Sequence, residues 1–142
     1  NYFTELGTRE FFEHTRLMTQ KVGTVMNEVN PTVTVQNSIH DCLVKMTVGG
    51  FGAATVVDDD GMPIGIFTDG DLRRMIEQEG GTAVDKNIGD LDLKTPKSIE
   101  YDALLYQASA VFQETQVDTL VVTREGKAVG LIDIQDLLKL RD

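Results

Sequence analysis

Cysteine is nearly absent. Cys42 stands alone among 142 residues, so no intramolecular disulfide can form, and the fold suits a reducing compartment. Long hydrophobic runs are missing too. No apolar stretch approaches the roughly 18 residues of a membrane span, and the tightest ones, such as Ala53 to Val57, are strand-sized. Basic residues are scarce: 13 Lys and Arg stand against 23 Asp and Glu, a formal net charge of −10. Such a surface argues against nucleic-acid binding, because neutralising phosphates takes clustered Lys and Arg. Arg73-Arg74 is the one arginine pair. His14 and His40 fall in no metal-ligand spacing, and no Ser, Cys or Asp arrangement partners them. The sequence therefore shows neither a metal site nor a catalytic constellation. It opens on Asn1, with no methionine and no signal-type apolar segment, and reads as a piece of a longer protein.

What the chain does have is an internal repeat. Val57 to Phe67 and Val122 to Ile132 follow one plan about 65 residues apart. Gly61 matches Gly126, Gly65 matches Gly130, and Asp71-Leu72 matches Asp136-Leu137. Upstream, Val22-Gly23-Thr24-Val25 matches Ile88-Gly89-Asp90-Leu91.

Each copy reads as strand, helix, strand, strand, helix. In the first, Thr32 to Val35 is extended. Ser38 and Asp41 then form a capping box for a helix whose buried stripe is Ile39, Cys42, Leu43 and Met46. That stripe makes Cys42 a core filler rather than a nucleophile. Ala53 to Val57 and Ile64 to Phe67 are strands, joined at Asp60-Gly61. Asp58-Asp59-Asp60-Gly61 is a turn, since it lacks the ligand spacing of a calcium loop. A second helix runs from Asp69 or Gly70 to about Glu79 and stops at Gly80-Gly81. In the second copy Asp102 is the expected cap for a helix carrying Leu105, Ala108, Ser109 and Phe112. Thr119 to Thr123 and Ala128 to Ile132 are its strands, and Asp136 to Leu140 lies in the last helix.

The partition is residues 21–81 for repeat one and 82–142 for repeat two. Residues 1–20 form a linker or strap, with a helix over Thr8 to Thr19. One copy alone, about 60 residues, is marginal for independent stability. The α+β fold expected is two β-α-β-β-α units about a pseudo-twofold axis, their sheets packed together, with a cleft on either side.

The candidate ligand site is Gly65-Ile66-Phe67-Thr68-Asp69-Gly70-Asp71. A helix N-terminus presents unpaired N–H groups and a positive dipole end to a phosphate. The Thr68 hydroxyl can donate to that phosphate, and Asp71 can accept two ribose hydroxyls. Gly65 permits close backbone approach to a ligand. The same residues also fit a simpler role. Thr68 with Asp71 is a capping box, and Asp69 is an acceptable plain cap. In copy two Asp133 replaces Thr68, where a carboxylate repels phosphate and equally well caps the last helix. The two clefts are therefore expected to be unequal, with Asp133 and Asp136 forming the weaker one. Either Arg73 or Arg74 can clamp a phosphate or carboxylate, but successive helical residues diverge by about 100°, so not both on one group.

The repeat, the hairpin and the Gly-x-x-Thr-x-x-Asp ending resemble the paired cystathionine-β-synthase-like (CBS) domains, or Bateman modules, over roughly residues 21 to 141. The resemblance implies a nucleotide site with Thr68 on the phosphate and Asp71 on the ribose. It also implies a base pocket at Thr32, Val33, Ala53 and Ala54. The run from Gly65 to Arg74 is similar to the C-terminal CBS pair of KpsF/GutQ-type arabinose-5-phosphate isomerases. That narrower resemblance implies a non-catalytic, cytoplasmic regulatory module, with a sugar-isomerase domain preceding it in the parent enzyme. It also implies a homo-oligomer, no required cofactor, and an effector such as AMP, ATP or the activated acidic sugar CMP-Kdo. Alternatives are a structural oligomerisation module with degenerate clefts, or the CBS pair of a sugar-nucleotidyltransferase.

Overall fold

The computed structural model describes residues 15–27 and 29–138. The expected strap helix over Thr8 to Thr19 is seen only as helical backbone at residues 15–19; its first part lies outside the described residues. A short helix α1 (Val22–Val25) follows, then β1 (Thr32–Val33), α2 (Ile39–Gly49), β2 (Ala53–Val57), β3 (Pro63–Thr68) and α3 (Asp69–Glu79). Two 3-10 turns, Gly81–Asp85 and Ile88–Asp90, lead into β4 (Ser98–Glu100), α4 (Leu105–Thr115), β5 (Thr119–Arg124), β6 (Lys127–Asp133) and α5 (Ile134–Leu138).

Each repeat builds a three-stranded sheet, β1-β2-β3 and β4-β5-β6. In both, the first pair is parallel and the second antiparallel. Each hairpin carries an irregularity at the same place, after Val56 and after Val122. The turns differ in chemistry. In the first, the Asp58 carboxylate accepts from the Asp60 and Met62 N–H groups, both at 2.9 Å, and Gly61 takes φ +82°. In the second, Glu125 and Gly126 both take positive φ, 54° and 81°, the twist a two-residue hairpin needs.

Helix α2 starts as its sequence requires. Ser38 Oγ accepts from Asp41 N, and the Asp41 carboxylate in turn accepts from Ser38 N at 3.0 Å. Gly50 closes it in the left-handed conformation at φ +65°, which a glycine adopts without strain. Helix α4 corrects the expectation for Asp102. The helix begins at Leu105, too late for that carboxylate to reach its free N–H groups. The Gln107 side chain accepts from Leu104 N at 2.8 Å instead, and Asp102 points outward beside Lys21.

Each core contains a residue lent by the lead-in of the other repeat. Val33, Ile39, Cys42, Met46, Val56 and Phe67 pack with Ile88, which precedes β4. Ile99, Leu105, Phe112, Leu120, Val122 and Ile132 pack with Val22, which precedes β1. The backbone ties are matching. Val22 N donates to Ala103 O and Gly23 N to Tyr101 O; Ile88 N donates to Asn37 O and Gly89 N to Val35 O. The paired glycines explain how these lead-ins come so close. A Cβ at Gly65 would lie 2.9 Å from Leu93 Cδ1, and one at Gly130 would lie 2.8 Å from Met26 Sδ.

Ala53, Thr55, Val121 and Leu131 belong to neither core, yet all are buried. They alternate along their strands with core residues, so they occupy the opposite sheet faces. Burial of both faces follows from packing the two sheets together. At the hairpin ends Ala128 N donates to Gly61 O at 2.9 Å.

Candidate functional site

Thr68 is the last residue of β3 and the N-cap of α3. Its Oγ1 accepts from Asp71 N at 3.2 Å. The Asp71 Oδ2 atom accepts from Thr68 N at 2.9 Å and from the Thr68 hydroxyl at 3.0 Å. The capping box is thus complete. The other carboxylate oxygen, Oδ1, receives Arg74 Nη2 at 2.6 Å and Lys94 Nζ at 3.1 Å. Burial alone raises the pKa of Asp71, but the Thr68 and Lys94 contacts and the Arg74 guanidinium reverse this, and the net shift is downward.

Beside Thr68 opens a cavity of about 580 Å³, within the usual range for small-ligand sites. One wall is the start of α3, with Thr68, Asp69, Gly70, Arg73 and Arg74. The facing wall comes from repeat two: Lys94, Thr95 and Lys97 before β4, Gln116 to Asp118 before β5, and Thr119 at its start. Asp133 closes one side. Arg73, Arg74, Lys94 and Lys97 collect four positive charges against the carboxylates of Asp69, Asp118 and Asp133. With Asp71, which holds Arg74 and Lys94, the carboxylates here also number four, so in a protein of net charge −10 the cavity is locally neutral and less hostile to an anion than the rest of the surface. Phe51, Ile66 and Val117 supply apolar surface.

Asp71 does not line that cavity. It opens instead on a neighbouring one of about 400 Å³, also lined by Phe67, Met75, Leu91 and Leu93. Ile66, Arg74 and Lys94 border both. Thr68 and Asp71 touch each other but face different spaces.

The second cleft is smaller, about 260 Å³, lined by Asn27, Gly50, Gly52, Asp133, Gln135 and Asp136, among others. Among the described residues it holds no Lys or Arg. Asp133 caps α5, its Oδ1 accepting from Gln135 N at 2.8 Å, and Asp136 Oδ2 accepts from Asp133 N at 2.8 Å. Thr119 donates to the other Asp133 oxygen at 3.2 Å.

A family model described as CBS domain matches residues 22–78 and 88–142. The chain is a tandem pair of CBS domains. It is similar to a probable arabinose 5-phosphate isomerase of Haemophilus influenzae, 32% identical over 114 residues, covering 80% of this chain and 34% of that protein. It is also similar to the arabinose 5-phosphate isomerase KpsF of Escherichia coli O6:H1, 34% identical over 122 residues, covering 85% of this chain and 37% of that protein. The chain thus spans about a third of the length of these relatives. Its fold matches that of a CBS domain protein from Pyrobaculum aerophilum, solved in complex with AMP. The TM-score is 0.74 at 16% identity, covering 85% of this chain and 98% of that one.

In this CBS pair the remaining candidate residues fall in different places. Thr32 and Val33 lie in β1, Ala53 and Ala54 in β2. Val33 and Ala54 pack in the first core and Ala53 is buried, and none of these residues borders the Thr68 cavity. Across this cavity Thr68 faces Lys94, Thr95 and Lys97, and Gln116 to Thr119. Gly65 is needed for close approach, but what approaches is Leu93 of the same chain. Asp69 lies on the cavity with its carboxylate against Gly52, where a Cβ would be 2.8 Å from Oδ2. Arg73 faces the cavity without an ion pair among the described residues. Sequence reasoning missed Lys94 and Lys97. Their signal was a Lys-Thr-Pro-Lys run ahead of β4, whose counterpart in the first copy, Asn27 to Asn30, carries no cation. No cluster of three His, Cys, Asp or Glu suited to a metal occurs among the described residues.

Proposed function

We propose that this CBS pair is a regulatory module that binds a nucleotide or sugar nucleotide in the Thr68 cavity, as part of an arabinose-5-phosphate isomerase. One observation carries the proposal: four basic side chains line the Thr68 cavity, whereas the second cleft, which shares Asp133 with it, adds Asp136 and has no Lys or Arg among the described residues. A phosphate meets less repulsion in the first than in the second. The complex of the P. aerophilum protein with AMP supports an adenosine nucleotide as ligand. The similarity to isomerases supports the parent enzyme, in which this module follows a sugar-isomerase domain and contributes no catalytic residue. A nucleotide-activated acidic sugar made downstream of that enzyme, such as CMP-Kdo, has the required ribose and phosphate. Regulation follows if the ligand favours one arrangement of the module over another. The parent is proposed as a cytoplasmic homo-oligomer.

Titration calorimetry with AMP, ATP, CMP and CMP-Kdo tests the reading. Heat and saturation with at least one of them are expected. Thr68→Ala and Asp71→Ala should each weaken binding by about 1–3 kcal/mol, the range for charge-assisted hydrogen bonds. Asp136→Ala should change it less. A second reading, a purely structural module, is favoured by the saturation of Asp71 by its own chain. It predicts no heat with any of the four ligands.

A further inference from the structure

We propose that Arg74 and Lys94 form a latch on Asp71, and that the effector opens it by exchange. Its anionic group takes the two cations while its hydroxyls take the released carboxylate. This deepens the nucleotide reading of the Thr68 cavity and rests on it.

Asp71 is saturated by its own chain. Asp71 Oδ2 already serves Thr68 twice, and Oδ1 already serves Arg74 and Lys94. No ligand hydroxyl can claim Oδ1 while both cations stay. The Asp71 side chain is only 17% exposed, whereas those of Arg74 and Lys94 are 56% and 62% exposed. The cations are the mobile partners, because their side chains are the solvated members of each pair. Both also border the Thr68 cavity, which Asp71 does not. They stand between the carboxylate and the ligand space. An anion at Thr68 would draw them toward itself and uncover the carboxylate behind them. The two halves of the exchange need each other. A carboxylate stripped of its cations in a half-buried place is costly unless new donors arrive. The module would therefore select ligands that carry both an anion and neighbouring hydroxyls. Lys94 is the part that distinguishes the two repeats. It pairs with Ile66 as Asn27 pairs with Leu131, so the second cleft has an amide where the first has a cation.

The test uses three probes on the intact chain: inorganic pyrophosphate, adenosine and AMP. In Asp71→Asn the cations are released, so pyrophosphate should bind about tenfold more tightly, equivalent to about 1.4 kcal/mol. Adenosine should bind about tenfold more weakly, and AMP should lose less than adenosine. Lys94→Met guards against a folding defect at position 71. It removes one latch cation, so adenosine should bind severalfold more tightly while pyrophosphate binds more weakly. Pyrophosphate affinity unchanged or reduced in Asp71→Asn would overturn the latch, as would adenosine affinity unchanged in Lys94→Met. Failure of wild-type protein to bind any nucleotide would instead overturn the nucleotide reading. The pyrophosphate comparison would still decide the latch.

Discussion

Replacing Gly65 with alanine should loosen the joint between the two repeats. The new methyl would sit 2.9 Å from Leu93 Cδ1 and 3.0 Å from Leu93 Cβ. Ordinary carbon contacts lie at about 3.5–4.0 Å. Rotating Leu93 relieves the first clash but not the second, because its Cβ is fixed to the backbone. The segment that carries it must therefore shift, and the Ile66–Lys94 bridge with it. Overpacking of this kind costs about 1–3 kcal/mol. The lower unfolded-state entropy of alanine offsets about 0.4–1 kcal/mol of that. The net loss runs from near zero to about 2.6 kcal/mol and centres on about 1.3 kcal/mol, a fall in melting temperature of about 3–5 °C for a chain of this size. Thermal unfolding followed by circular dichroism reads it directly. Gly81→Ala is the control, since nothing lies within 4 Å of its Cβ position, and it should melt within about 1–2 °C of wild type. A Gly65→Ala protein as stable as wild type would refute the reasoning, because Leu93 would then not be packed on β3. Gly65→Ala should also weaken AMP binding, since the displaced segment carries Lys94 and Lys97 into the cavity.

Acid should expose the role of Asp71. Its pKa is lowered in the folded state, so its contribution to stability is complete above the ordinary carboxylate range and is lost as pH falls through the folded value. Urea unfolding from neutral pH downward should show Asp71→Asn losing less stability on acidification than wild type; equal slopes would contradict this. Cys42 is fully buried and burial pushes its thiol up to about 11. Alkylation at neutral pH should therefore proceed no faster than the chain opens, and fast labelling of the native protein would show that the α2 stripe is not buried.

Local rules carried much of the fold. The stripe of Ile39, Cys42 and Met46 is buried, Gly50 and Gly61 take the positive φ their turns require, and α3 runs from Asp69 to Glu79 as its punctuation implies. The exchange of lead-ins was not legible. Val22 and Ile88 are matched in sequence, but nothing local says that each enters the other repeat's core. Gly65 and Gly130 marked the contact without naming the partner. That exchange also decides what faces Thr68 across the cavity. Once the lead-in of repeat two crosses to β3, Lys94 and Lys97 arrive beside Thr68, and the buried strand residues are left behind. Asp102 failed for a local reason: the chain spends two more residues before helical geometry begins at Leu105.

The central claim is that the two clefts are unequal and that the nucleotide enters the one beside Thr68. A crystal structure of this chain grown with AMP tests it most directly. The account predicts the phosphate beside Thr68 and Arg73, with Lys94 turned from Asp71 toward it. AMP found in the cleft of Asn27, Asp133 and Asp136, with the Thr68 cavity empty, would contradict it.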